Sequence, residues 1–149
     1  KRLLAIKRKR LERIQPYLSQ IDFSFYPRMR DLQLFLERIM GSKGKTIVFA
    51  VKMYGYGARI LTGRFIPYPM EVEIPWDSRI QKLSRLLGYK KEDWQSLSQE
   101  THIPPLHLDS ILWPIFTQKE KYEALGGPYK ELLEVLHGLD DSLSAFGKA

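Results

Sequence analysis

Six residues have types and spacings that could carry chemistry. Lys45, Phe49 and Lys52 stand at i, i+4 and i+7, so on a helix they share one face. That face would hold two amines flanking an aromatic ring, and it is not the face of Ile47, Val51 and Tyr54, which is left for a core. Lys45 falls in the first turn of that helix. There the positive end of the helix dipole disfavours an ammonium, and partial burial would disfavour it further. A lysine in that position is a candidate nucleophile for Schiff-base chemistry. The plainer reading is a surface lysine touching a phosphate. Asp77 precedes another helix. It is a cap or, near a reactive amine, a group that orients the amine or stabilises a cationic sugar. Asp109 and Trp113 are again i, i+4, on a helix that starts at a proline. A carboxylate beside an indole can hold a flat base by hydrogen bonding and stacking. A core Trp with an unrelated Asp is the commoner arrangement.

The elements that must position these residues can be read from apolar spacing. Leu32, Phe35, Leu36 and Ile39 recur at helical intervals within a helix of about 30–40. A second helical stripe over 45–62 comprises Ile47, Ala50, Val51, Tyr54, Ala58 and Leu61. Gly55 and Gly57 lower helix propensity there and permit close packing. Between the two helices lies the tight turn Gly41-Ser42-Lys43-Gly44. Gly44-Lys45-Thr46 resembles the end of an NTPase phosphate loop. That motif needs its first glycine at 39, which is Ile39, and a strand where this chain has a helix, so the NTPase reading fails. A helix-hairpin-helix is the better reading. The amides of the turn and of the following helix N-terminus favour a phosphate, and glycine lets the backbone approach it. The alternative is an ordinary helical hairpin.

Charge favours the phosphate-binding version. Residues 1–64 hold 15 Lys and Arg against 4 Asp and Glu, whereas 65–149 hold 9 against 13. A basic half points to a polyanion, with nucleic acid first and an anionic membrane surface second. The run 1–13 either joins in that binding or is simply solvated. The chain has no Cys and 3 His, at 102, 107 and 137, without ligand-like spacing. This excludes a disulfide scaffold, a thiolate metal site and a cysteine nucleophile, and neither metal nor cofactor is expected. No apolar run approaches the roughly 18 residues of a membrane span. No signal peptide is visible, and a cytoplasmic location is expected; a monomer is expected as well. The absence of Asn and Cys beside abundant Lys, Arg and Glu fits selection for heat.

The remaining expectations complete an all-α fold. A basic helix over 1–14 gives way at Pro16 to an irregular stretch, 20–28. Gly63 to Trp76 contains three prolines and must be an irregular connection. Asp77 then caps a helix over 78–87 that Gly88 closes. Further helices are expected over 91–101, from Pro104 or Pro105 to Trp113 before Pro114, over 118–125, and over 129–137 with Gly138 as a stop. Trp76 and Trp94 are read as packing residues. One helical domain over 1–149 is expected, with the hairpin at about 30–62.

Three segments, in order, resemble the archaeal 8-oxoguanine DNA glycosylases, a divergent branch of the helix-hairpin-helix glycosylases. They are 41–53 (GSKGKTIVFAVKM), 74–80 (IPWDSRI) and 103–113 (IPPLHLDSILW). The resemblance covers most of 30–137. It implies that Lys45 is the catalytic lysine and Asp77 the catalytic aspartate. Phe49, Lys52, Asp109 and Trp113 would line the base pocket, and Gly41, Ser42, Lys43 and Gly44 would bind DNA phosphate. Members of that branch carry a preceding helical region with further pocket residues, so this chain is expected to match the later part of a longer protein. The implied activity is excision of 8-oxoguanine from double-stranded DNA by lysine attack at C1′, followed by β-elimination through an imine. The alternative is a non-enzymatic helix-hairpin-helix module in which Lys45 only touches phosphate.

Overall fold

A computed structural model describes residues 2–115 and 119–146. Among the described residues the chain is all-α: α1 (Arg2–Ile14), α2 (Met29–Met40), α3 (Lys45–Thr62), α4 (Ser78–Leu87), α5 (Asp93–Thr101), α6 (Pro105–Ile115), α7 (Lys119–Leu125) and α8 (Gly127–Phe146). Where the sequence suggests one helical domain, the residues cluster into two compact units, Lys1–Pro75 and Trp76–Ala149.

The first unit is built around the α2–α3 hairpin. Met29, Leu32 and Leu36 bury one face of α2. Gln33 shares that burial because its amide is satisfied on both sides: its oxygen accepts from Arg30 at 2.7 Å and its nitrogen donates to Glu37 at 2.9 Å. The end of α1 meets the end of α2. The Arg13 guanidinium donates to the Met40 carbonyl at 2.9 Å, and further along the chain Tyr17 packs edge-on against Phe35, 6.3 Å between centroids. Residues 20–28, expected to be irregular, contain instead a second 3-10 turn, Phe23–Arg28, after a first at Gln15–Gln20. The Asp22 side chain caps the second turn by accepting from the Ser24 amide at 2.9 Å, and Pro27 prevents a full α-turn.

The proline-containing connection after Gly63 has no strand partner, so side chains hold it. The buried Tyr26 hydroxyl donates to the Arg64 carbonyl at 2.7 Å and accepts from the Ile66 amide at 3.2 Å. Arg30 donates to the Glu71 carbonyl at 3.3 Å. The Tyr68 hydroxyl donates to the Lys52 carbonyl at 2.7 Å. Tyr68 reaches that far because residue 55 is glycine: a Cβ there would lie 2.5 Å from the Tyr68 ring, whereas one at Gly57 would meet nothing within 4 Å. This contact shifts the buried face of α3 from the expected stripe. Ile47, Val51 and Ala58 are buried as expected, and Tyr54 is half-buried. Val48, Lys52 and Gly55 complete the buried face, while Ala50 and Leu61 are exposed.

In the second unit, Asp77 caps α4 and Gly88 closes it, as expected. Ile80 and Leu83 bury its inner face, and Trp94 on α5 donates its indole N–H to Ser84 at 2.8 Å. Trp94 is thus a packing residue, and Trp76 is half-buried. α6 continues past the expected end at Trp113, through Pro114 to Ile115. The proline removes its own N–H from the hydrogen-bond ladder one residue before the helix ends. α8 likewise passes through Gly138, which keeps a negative φ, and extends to Phe146. Residue 118, the expected start of α7, and the side chain of His137 lie outside the described residues.

Two predictions follow from the α3 contacts. Gly55→Ala should destabilise the chain by about 1–3 kcal/mol by overpacking against Tyr68, whereas Gly57→Ala should stabilise it by about 0.5–1 kcal/mol; urea midpoints decide. Burial, reinforced by the nearby Tyr56, pushes the Tyr68 phenol well above its ordinary 10.0, and burial also raises Tyr54. Below that ordinary value both phenols are neutral in either state and their contribution is fully present. Above it the unfolded phenols ionise first, so stability falls as pH rises towards the folded values. Thermal midpoints should therefore drop above pH ~10, and Tyr68→Phe should shallow that drop.

Candidate active site

The hairpin turn is bracketed by two left-handed glycines, Gly41 at φ 62° and Gly44 at φ 139°. Ser42 and Lys43 lie between them, both exposed. The Gly44 carbonyl starts the α3 ladder, accepting from Ile47 at 3.0 Å and Val48 at 3.3 Å. Glycine has no side chain to cap the helix, and none caps α3. The first amides of a helix lack intrahelical acceptors, so this N-terminus is open to an anion.

Lys45 is the first residue of α3 and is exposed. The expected partial burial does not occur, because this position sits at the hairpin tip. One turn on, Phe49 leaves 51% of its surface exposed. Lys52 on the same face is 5% exposed. Its ammonium lies 5.6 Å from the centre of the Tyr56 ring, and Tyr56 meets Tyr68 edge-on at 6.3 Å. The π face of Tyr56 gives a buried cation a favourable neighbour. The three residues thus run from solvent at Lys45 to the interior at Lys52.

In the second unit, Asp77 is engaged through both oxygens. Oδ1 accepts from the amides of Arg79 at 2.9 Å and Ile80 at 3.1 Å. Oδ2 accepts from the Arg79 guanidinium, at 3.3 Å from Nε and 3.2 Å from a terminal nitrogen. The same guanidinium stacks 4.7 Å from the centre of the Trp113 ring. Trp113 is 38% exposed, and Asp109, one turn earlier on α6, is 4% exposed. Neither Asp109 nor Lys52 is without a partner.

Of the expected residues, the structure groups Gly41, Ser42, Lys43, Gly44, Lys45, Phe49 and Lys52 on the hairpin. It brings Asp77 and Trp113 together through Arg79, with Asp109 on the helix of Trp113. Arg79 is not among the residues that spacing singles out. A signal for it exists: a cation in the first turn of a helix opposes the dipole and calls for an anion nearby. Among the described residues no group of three or more His, Asp or Glu could hold a metal ion. No helix among them is long and apolar enough to cross a membrane.

Comparison with known proteins supplies the family. The description "AGOG: N-glycosylase/DNA lyase" matches residues 1–137. The chain belongs to this family. It is similar to an N-glycosylase/DNA lyase of Methanococcus maripaludis, 47% identical over 125 residues, covering 77% of this chain and 49% of the relative. A protein of the same name from Nanoarchaeum equitans is 44% identical, covering 79% of this chain and 55% of its own length. The chain thus spans about half the length of these curated relatives. The crystal structure of the Pyrobaculum aerophilum family member, an 8-oxoguanine DNA glycosylase complexed with 8-oxoguanosine, superposes with a TM-score of 0.63. It is 26% identical and covers 73% of this chain and 48% of that one. The all-α fold is therefore the family's glycosylase fold.

The dual use of Asp77 can be separated by substitution. Asp77→Ala should lose the cap and about 0.5–2 kcal/mol of stability. Asp77→Asn keeps a capping oxygen and should lose under about 1 kcal/mol, because the ion pair to Arg79 is partly exposed. Denaturant titrations of both variants check this; equal losses would mean that the ion pair, not the cap, dominates.

Proposed function

We propose that this chain carries the nucleophile of a DNA N-glycosylase/lyase acting on 8-oxoguanine in double-stranded DNA, as an intracellular monomer. The observation that carries the reading is the hairpin itself: bare amides at the α3 N-terminus, with an exposed amine on the first helical residue. The names borne by the curated relatives and by the solved structure support it. A phosphate held at Gly41, Ser42, Lys43 and Gly44 fixes the register of the backbone without reading sequence. The lesion is flipped out of the stack at a cost of a few kcal/mol. Phe49 and Trp113 stack on the flat base, and Asp109 and Lys52 contribute polar contacts to its edge.

Once deprotonated, the Lys45 amine attacks C1′, and the glycosidic bond breaks with its electron pair leaving on the base. The amine then forms an imine with the opened sugar. Loss of a C2′ proton expels the 3′ phosphate and cuts the strand. Asp77 stabilises positive charge on the sugar and orients or deprotonates Lys45. The chemistry needs no cofactor.

Exposure of Lys45 equally suits a plain phosphate contact, which is the binding-module reading. In that case Lys45→Gln weakens binding and lowers the salt slope by about one unit. As an enzyme, Lys45→Gln should reduce single-turnover excision by about a thousandfold or more, with affinity nearly intact. Excision and anisotropy measurements on the same lesion duplex separate the two.

α1, whose end touches the end of α2, adds a basic surface to this unit. Lys9 and Arg10 lie at i−4 and i−3 of Arg13, on the side that touches Met40, and both are exposed. Helical rise places them about 4.5–6 Å along α1 from Arg13. If they continue the phosphate track, Lys9→Ala/Arg10→Ala should lower the salt slope of duplex binding by about two units. An unchanged slope would mean that they are only solvated.

A further inference from the structure

Arg79 is the one side chain that touches both Asp77 and Trp113 among the contacts described above. Its own amide and that of Ile80 fix Oδ1 of Asp77, and its guanidinium fixes Oδ2. Residue 79 thus sets both the place and the rotation of the carboxylate. The guanidinium also covers part of the indole of Trp113. Arginine suits this double task and lysine does not. A planar fork can bind a carboxylate along its edge while its face lies on a ring, whereas an ammonium is a point charge.

We propose that Arg79 is a positioning residue for base excision, tying the Asp77 carboxylate to the indole that receives the base. The inference rests on the roles given above to Asp77 and Trp113. In the DNA-free protein, Arg79 holds Asp77 at a fixed distance from the Trp113 ring and so links the group that faces the sugar to the group that faces the base. A base stacking on Trp113 finds the carboxylate already oriented. Both partners of the ion pair keep partial solvent exposure, so water screens the pair, and geometry rather than strength is its contribution.

Two measurements test this. The first is the 15N-resolved Nε–Hε resonance of Arg79 in the DNA-free protein. Stacking predicts an upfield ring-current shift and slowed exchange, both lost in Trp113→Leu, with the slowed exchange also lost in Asp77→Asn. The second is single-turnover excision on a duplex with one 8-oxoguanine, beside its Kd. Arg79→Lys should slow excision about tenfold while Kd stays within about twofold, because charge is kept and orientation is lost. Adding Arg79→Lys to Asp77→Asn should slow excision no further, since the two act as a unit. A purely structural role would instead change melting temperature and Kd together with the rate. A wild type that excises, with Arg79→Lys equally fast, overturns this inference alone. A wild type that binds the duplex and does not excise overturns the reading of the site and this inference with it.

Discussion

The reversal of the chain between α2 and α3 within four residues is the constraint on which the hairpin side of the site depends. It needs left-handed backbone at both ends of the turn, and Gly41 and Gly44 supply it. A side chain at 44 would strain the turn and could also cap α3. Glycine therefore does two things at once. It permits the reversal, and it leaves the helix N-terminus open, with Lys45 as the first residue of the helix. Uncapped backbone amides and an amine are thereby placed next to each other by one local conformation.

Behind this tip, α3 grades from polar to buried along a single face. The buried Lys52 lies beside Tyr56, which packs on Tyr68, and Tyr68 can lie there because residue 55 is glycine. A hydroxyl hydrogen bond to the Lys52 carbonyl ties the proline-containing connection to the same helix. In the second unit one residue pair makes a comparable economy. Asp77 starts α4 as its cap and, through Arg79, meets the indole of Trp113.

Much of this was legible in the residues. Capping and glycine signals located α4 to the residue, because an Asp cap and a left-handed Gly stop are local chemistry. Helical spacing located α2 and α3 for the same reason. Pro114 and Gly138 misled, since near a helix end or within a long helix each weakens the ladder without breaking it. The close approach to Gly55 could not be read from periodicity: it depends on Tyr68, 13 residues later in a segment without regular structure. Arg79 is not legible from spacing because its two contacts lie in different directions, one at the start of its own helix and one on α6. The family resemblance added the assignment of Lys45, Asp77 and the base-binding residues, which spacing alone left open.

The central claim is that Lys45 is a nucleophile that becomes covalently attached to sugar. Borohydride added during reaction with an 8-oxoguanine duplex should reduce the imine and fix it, and peptide mapping of the adduct should place the sugar on Lys45. An adduct on Lys43 or Lys52, or a bound duplex that yields none, would contradict the account.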